Sequence, residues 1–569
     1  MATFDYLVVG AGTAGCVLAN RLSADPRNRV LLIEAGGHAR SPYLRVPKLG
    51  SRLFGNPRYI WQHQTIPLGH DGTTEFWPRG KVLGGSSSVN GMVYNRGQKA
   101  DFDELEQLGN RGWGWDNILA AYRSFEHNTI GQSSTRGFGG ELAISVVPDP
   151  DPLALTTIAA GTNLGMRPLA DLNESDEPRI GLSPATIHNG RRVSAATAFL
   201  DPVRLRPNLQ VLTGATAERL EFTRGRATGV VLRMGSLSMV VRAKREVVLT
   251  LGALGSPKLL QLSGIGPGDV LAAAGVPRYL ERANVGRRMR DHRTLVNTYR
   301  LNRNIGHNRH LSTTCGKVRS TVRYAATGRG PLAAPTGDVL AFFKTAPDQP
   351  RVDGQMLVTA LTLAGVGGTV ERLPGVSCMG EILRPTSEGS VWISSPDPDH
   401  PLMIDPNYLA TAHDRTAAIG VLRTMREVFQ QSPIADLIAT ELTPGPDAQS
   451  DDELLHAAMA QGLTGFHAIG TCGMGPDDDD IVDDQLRVRG IDGLRVADLS
   501  IMPIMLSGNT NAPTMAMAAR AADLILDTPV RAGRHRGHRP TIDSSRPSNL
   551  TPSPSWSSAR NGARSVATM

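Results

Sequence analysis

Three sets of residues have the types and spacing to do chemistry. The first is Gly10, Gly12 and Gly15 in the pattern Gly-x-Gly-x-x-Gly, with Glu34 following 19 residues after Gly15. Gly10 permits a tight turn, Gly12 removes a side chain where a pyrophosphate has to come close, and Gly15 lets a helix pack against a strand. A helix opening at Thr13 and Ala14 offers free N–H groups and a partial positive charge to phosphate. Glu34 stands where an acid accepts hydrogen bonds from a ribose diol. This pattern serves FAD and NAD alike. The second set is Gly84-Gly85-Ser86-Ser87-Ser88, followed by Asn90-Gly91-Met92-Val93. Its glycines let backbone approach a flat ring or a phosphate, and its hydroxyls donate. The third is His467, with Asn509 placed 42 residues later. Imidazole has the near-neutral pKa that proton abstraction needs, and a carboxamide can hold a substrate oxygen. A glycine-rich polar loop or a lone histidine is an ordinary structural feature, so the weight falls on context.

These residues need elements to hold them. Phe4 to Val9 reads as a strand, Ala14 to Ser23 as a helix stopped at Asp25-Pro26, and Val30 to Ile33 as a second, fully apolar strand of a buried parallel sheet. Further α/β material is expected at Val211 to Val248, Glu246 to Gly266 and Leu494 to Leu526. In the second of these, Ser256 is a good N-cap, Pro257 suits the first helical position and Gly264 is a natural stop. In the third, a strand ends at Asp498, a loop carries Asn509 and Thr510, and a helix starts near Pro513. Residues 36–80 have many Gly and Pro with little periodicity and read as a long loop or lid. Short apolar runs at Val339 to Phe343, Gln355 to Thr362 and Gly389 to Ile393 predict a largely antiparallel sheet with helices behind it.

With these segments in order, the chain resembles the glucose–methanol–choline (GMC) oxidoreductase family over about residues 4–528. The stretches 80–103 and 252–266 are similar to that family's two signature patterns. The resemblance implies an α/β fold in which a Rossmann-like FAD-binding domain (1–300 and 456–529) joins a substrate domain (301–455, with parts of 150–200). It implies an enzyme that oxidises the CH–OH group of an alcohol to an aldehyde or ketone by hydride transfer to flavin N5. Simple and aryl alcohols, choline, sugars and aminoglycosides are all compatible, as are oxygen, a quinone or a protein as electron acceptor. By position, His467 matches the catalytic histidine and Asn509 the second catalytic residue. FAD contacts are expected from Gly10, Gly12, Thr13, Ala14, Gly15, Glu34, Val82, Gly85, Asn90, Gly91, Met92, Val93, Asp498, Asn509 and Thr510. Val89 stands where some members bond a histidine covalently to flavin, so non-covalent FAD is expected. Ala468, Leu251 and Leu499 depart from the residues usual at their positions. A hydroxynitrile lyase with non-redox FAD, a chemistry also found in the family, is the competing expectation.

Composition narrows the alternatives. The chain has 569 residues, 40% of them hydrophobic and 20% charged, as in ordinary globular proteins. Its net charge of +7 is a property of the tail: seven arginines against Asp543 after Val530 leave +1 for the rest. Nucleic-acid binding is therefore not expected of the enzyme body, and residues 530–569, rich in Arg, Ser, Pro and Gly, read as a disordered basic tail. Four dispersed cysteines form neither a disulfide framework nor a zinc pattern. No metal site is expected; Asp477 to Asp480 reads as a solvated loop, Cys472 as a small buried residue and His292 as structural. No apolar run is long enough to span a membrane. The start Met-Ala-Thr-Phe-Asp-Tyr has no basic leader, so a cytoplasmic setting is expected.

Overall fold

The computed structural model describes residues 3–69, 72–131, 133–364 and 368–527. Residues 530–569, expected to be a disordered tail, lie outside that set. Two sheets organise the chain. The first has seven strands in the order Leu209–Thr213, Val30–Glu34, Thr3–Val9, Leu237–Leu249, Arg226–Met234 and Thr216–Thr223, with Leu494–Val496 also paired to Leu237–Leu249. The first four and Leu494–Val496 run parallel; the remaining two are an antiparallel extension. Strands buried on both faces need apolar side chains throughout, and Val30–Glu34 is buried at every position. Helices Thr13–Leu22 and Asn511–Ile525 pack against each other over this sheet. Both chain ends of the described region thus build one cofactor-type core, with Ala14, Val17 and Leu18 meeting Met515, Ala518 and Ala522 in one buried cluster.

The second sheet has eight strands in the order Ile438–Thr443, Arg293–Leu301, Gly375–Ile382, Gly354–Thr359, Val339–Phe343, Arg179–Leu182 and Arg167–Pro168, with Leu463–Thr464 on Arg293–Leu301. All pairs are antiparallel except the last two strands of that order. A largely antiparallel sheet is therefore present, and it takes strands from 167–182 and 293–301 as well as from 339–382, 438–443 and 463–464; the run Gly389 to Ile393, expected in it, instead forms a separate pair of Ser390–Trp392 with Met403–Asp405. Its back is apolar: Val376, Cys378 and Ile382 alternate with Leu295, Met356 and Val358 against Val421, Leu422 and Met425 of helix Ala412–Phe429. A Cβ on Gly380 would lie 2.5 Å from Val421 Cγ1, so the helix rides directly on the backbone there.

Two local expectations are corrected. Residues 36–80 hold short 3-10 turns at Pro42–Leu44 and Pro47–Leu53, both led by proline, and then a hairpin of Ile60–Gln64 with Phe76–Gly80. Ser256 is not an N-cap. The helix runs Gly252–Leu262 with Pro257 inside it, and the Ser256 hydroxyl instead donates to Asp498 Oδ2 at 2.5 Å. Pro257 leaves the Ala253 carbonyl without its helical donor, and Thr471 Oγ1 donates to it instead at 2.7 Å; Gly252, at φ +80, makes the turn that starts the helix earlier. Among the described residues no helix is long and apolar enough to cross a membrane.

Candidate active site

The carboxyl ends of the Thr3–Val9 and Val30–Glu34 strands open onto a cavity of about 1950 Å³, roughly twice the size at which small-ligand pockets usually end. The three glycines of the turn do different things there. A Cβ on Gly10, at φ +106, would sit 2.6 Å from the Thr250 carbonyl oxygen, and one on Gly15 would sit 1.9 Å from the Gly10 oxygen. Protein packing alone requires those two glycines. A Cβ on Gly12 would meet nothing nearer than Thr250 O at 3.8 Å, so the space beside it belongs to the cavity. Glu34 closes the strand with Oε2 accepting from Ala11 N at 3.0 Å and Oε1 from Gly36 N at 2.8 Å. Burial pushes its pKa up to about 7; each oxygen keeps a further lone pair for a hydroxyl.

The second glycine loop backs onto the first: a Cβ on Gly85 would lie 2.7 Å from Gly12 Cα. Asn90 Oδ1 accepts from Met92 N at 3.0 Å and from Arg192 Nη1 at 2.8 Å. This Asx turn holds Met92 at φ +66 and sets Asn90 to Val93 along the cavity wall. Asp498 accepts from Gly252 N, Ser256 Oγ and Ser500 N; burial raises its pKa. It ties the 251–256 turn to the 499–501 turn at the cavity's edge. Thr13, Ala14, Asn509 and Thr510 also line the space, whereas Gly15 and Val82 stand behind the wall. Val82 is fully buried in a satellite cluster with Val89 and Ile60.

On the wall of the same cavity stands His467, 9% exposed. Its backbone N–H donates to Asp291 Oδ1 at 2.7 Å, and Asp291 Oδ2 accepts from Tyr408 and Thr464 hydroxyls at 2.6 Å each. The ring is placed by a chain of partners that fixes its tautomer. His292 Nε2 is 3.1 Å from the Leu383 carbonyl, which can only accept, so Nε2 carries the proton. Its Nδ1, 2.9 Å from His467 Nδ1, is then the acceptor and His467 Nδ1 the donor. His467 Nε2 is left with its lone pair, 3.3 Å from Asn509 Nδ2. Burial first, then the neighbouring His292 and Arg79, holds the His467 pKa well below the ordinary histidine value. The loop carrying Asn509 is pinned by Ser507, whose N–H and hydroxyl donate to Asp101 at 2.8 and 2.9 Å. A Cβ on Gly508, at φ +106, would sit 1.9 Å from Asn95 Nδ2. A neutral imidazole lone pair beside a carboxamide N–H can take a proton from a hydroxyl and hold its oxygen.

Comparison with known proteins decides the family. The N- and C-terminal family models of GMC oxidoreductase match residues 4–294 and 385–518. The chain belongs to the GMC oxidoreductases. It is similar to an alcohol dehydrogenase [acceptor] of Pseudomonas putida, 36% identical over 92% of this chain and 96% of that one. It is also similar to an oxygen-dependent choline dehydrogenase of Sinorhizobium fredii, 35% identical over 92% and 95%. Among solved structures, pyridoxine 4-oxidase from Mesorbium loti superposes with a TM-score of 0.83 at 33% identity, over 91% of this chain and 98% of that one. This GMC oxidoreductase is an FAD-dependent enzyme. Its own cavity fits the cofactor: the Gly12 face is open, helix Thr13–Leu22 points its N-terminus there, and Arg79 Nη2, on the cavity wall, is buried without a hydrogen-bond partner.

The GMC site contains residues that sequence reasoning did not single out. Thr294, Gln355 and Glu381 line the cavity next to His467, and His292, read as structural, is in direct contact with it. The Asp477 to Asp480 loop is not merely solvated: Arg288 pairs with Asp479 at 2.6 Å and with the buried Asp480 at 3.3 Å. Cys472 is fully buried.

Proposed function

We propose that this GMC oxidoreductase oxidises the CH–OH group of a small alcohol to an aldehyde or ketone, with His467 Nε2 accepting the hydroxyl proton and Asn509 Nδ2 holding the hydroxyl oxygen. Bound FAD supplies the hydride acceptor. The observation that carries the reading is His467 Nε2, unprotonated and 3.3 Å from Asn509 Nδ2 on the wall of the cofactor cavity, where a substrate hydroxyl can take the place of that N–H as its partner. Gly10 to Gly15 and the helix opening at Thr13 would hold the pyrophosphate, Glu34 the ribose, and Asn90 to Val93, Asp498 and Thr510 the remainder. The N-terminus of helix Asn511–Ile525 lies on the same wall and favours negative charge there. Val89, 7% exposed and on the cavity wall, has no nucleophile to bond the flavin, so FAD is held non-covalently. The named relatives act on an alcohol and on choline, and both classes enter the substrate screen, with oxygen, a quinone and an artificial acceptor tried in turn.

The test is His467→Ala. The variant keeps its FAD and loses about 10²–10⁴-fold in turnover, the range for a lost general base. Asn509→Ala loses less, because it positions the oxygen and takes no proton. Near-normal turnover in the His467 variant refutes the assignment.

A further inference from the structure

Behind the His467 ring lies a carboxyl group that the reading above leaves without a task. Glu381 is 7% exposed, near the end of strand Gly375–Ile382. Thr294 Oγ1 donates to its Oε1 at 3.1 Å and Gln355 Nε2 to its Oε2 at 3.1 Å. Oε2 is 3.8 Å from His467 Nδ1 and 3.7 Å from His292 Nδ1. The same Gln355 nitrogen is 3.5 Å from Asn509 Oδ1. Glu381 therefore reaches one member of the pair through space and the other through a single amide.

A buried acid is costly to keep unless something uses its charge. The charge called for here is negative. When His467 takes a proton at Nε2, a cation forms in a buried site that already disfavours it, the positive charge of Arg79 adding to burial. Asp291 is the nearest other carboxylate, but its oxygens are turned to the His467 backbone N–H and to two hydroxyls. Among the described residues, Glu381 is the carboxylate that presents an oxygen to the Nδ1 edge of the ring, at 3.8 Å.

We propose that Glu381 is a positioning residue of this site: its carboxylate stabilises the His467 imidazolium formed as the substrate gives up its hydroxyl proton, and through Gln355 it orients Asn509. The proposal rests on the alcohol-oxidation reading. In the step, the substrate O–H bond breaks and an Nε2–H bond forms. The carbinol hydrogen leaves with its electron pair to bound FAD, and the oxygen's electrons form the carbonyl bond. The imidazolium and Glu381 then make a neutral pair. The sign of the pH dependence follows. The groups facing Glu381 are His292 and His467, with Asp291 near enough for its charge to add to burial in pushing the Glu381 pKa up to about 8. Below that value Glu381 is protonated and cannot serve as counter-ion; above it, the charged carboxylate stands beside a neutral His467. Oxidation is therefore faster at higher pH.

The experiment is anaerobic reduction of the holoenzyme's flavin by benzyl alcohol, 1-octanol and choline, followed from pH 6 to about pH 10. The wild-type rate rises with pH to a plateau, by about 10–1000-fold, the effect of one opposite charge at this range. Glu381→Gln stays at the low-pH rate throughout, with KM, FAD content and melting temperature near wild type. Glu381→Asp keeps a rising limb. A Glu381→Gln enzyme with the wild-type profile overturns the proposal. Should Glu381→Gln fail to fold, Glu381→Asp decides: a rising limb supports the counter-ion and a flat profile removes it. Normal flavin reduction in His467→Ala would instead remove the base assignment, and a flavin that no alcohol reduces would remove the alcohol-oxidation reading; the proposal falls with either.

Discussion

The three glycines of the Gly10–Gly15 turn predict two distinct mutational outcomes. Gly12→Ala adds a methyl group that meets no protein atom within 3.8 Å, at a residue whose φ of −76 any amino acid adopts. The apoprotein therefore loses nothing, and reduced chain entropy in the unfolded state can raise stability by about 0.4–1 kcal/mol. The same methyl projects into the space proposed for the pyrophosphate. Overpacking of that kind costs about 1–3 kcal/mol, which is about 5–150-fold in the FAD dissociation constant. Gly15→Ala is the opposite case: its methyl would lie 1.9 Å from the Gly10 oxygen, so helix and strand must separate and the apoprotein itself is destabilised. The assay is thermal melting of FAD-stripped protein beside equilibrium titration with FAD. Unchanged FAD affinity in Gly12→Ala, or a Gly15→Ala apoprotein as stable as wild type, would refute the division of labour.

Two further outcomes are accessible with the purified enzyme. Acid precipitation releases FAD into the supernatant, because Val89 cannot bond it; flavin colour retained in the pellet would contradict this. Under anaerobic conditions a substrate alcohol bleaches the oxidised flavin in one turnover, more slowly when the carbinol carbon carries deuterium and hydride transfer limits. Sustained turnover with an unchanged flavin spectrum would indicate a lyase of the hydroxynitrile type.

The parts of the site that were legible in the sequence are those whose constraint is local. Gly10, Gly12 and Gly15 announce a strand–turn–helix because their spacing is local, with Gly15 packed on the Gly10 oxygen even though Gly10 itself answers to the distant Thr250 carbonyl, and Glu34 ends the next strand at a fixed distance. Boundaries set by distant partners were not legible. Ser256 looks like an N-cap, yet its hydroxyl is taken by Asp498, 242 residues away, and the helix starts earlier. The Ile60–Gln64 hairpin strand has no clean alternation of apolar and polar residues, because the side chains of its inner face, Trp61 and His63, line the cavity rather than an apolar core. Gln355, Glu381 and Thr294 were hidden for a different reason. They share their face of the sheet with Val296, Met379 and Leu357, so no clean polar alternation marks it in the sequence, and only the third dimension reveals that this face looks into a cavity.

That face depends on register. Thr294 pairs with Glu381 and Glu381 with Gln355; Val296, Met379 and Leu357 form the next row; Thr298, Ser377 and Thr359 the third. All nine line the cavity. Because side chains alternate along a strand, a slip of one residue in Gly375–Ile382 would bury Ser377, Met379 and Glu381 and present Val376, Cys378 and Ile382 instead. The apolar back row against helix Ala412–Phe429 forbids that slip, since it would drive an acid into Val421 and Met425. The hydrophobic core of the second sheet thus fixes the polar row beside His467 on the cavity wall. Stability and site geometry are set by the same pairing, and substitutions on the apolar back of this sheet reach the chemistry only through loss of that register.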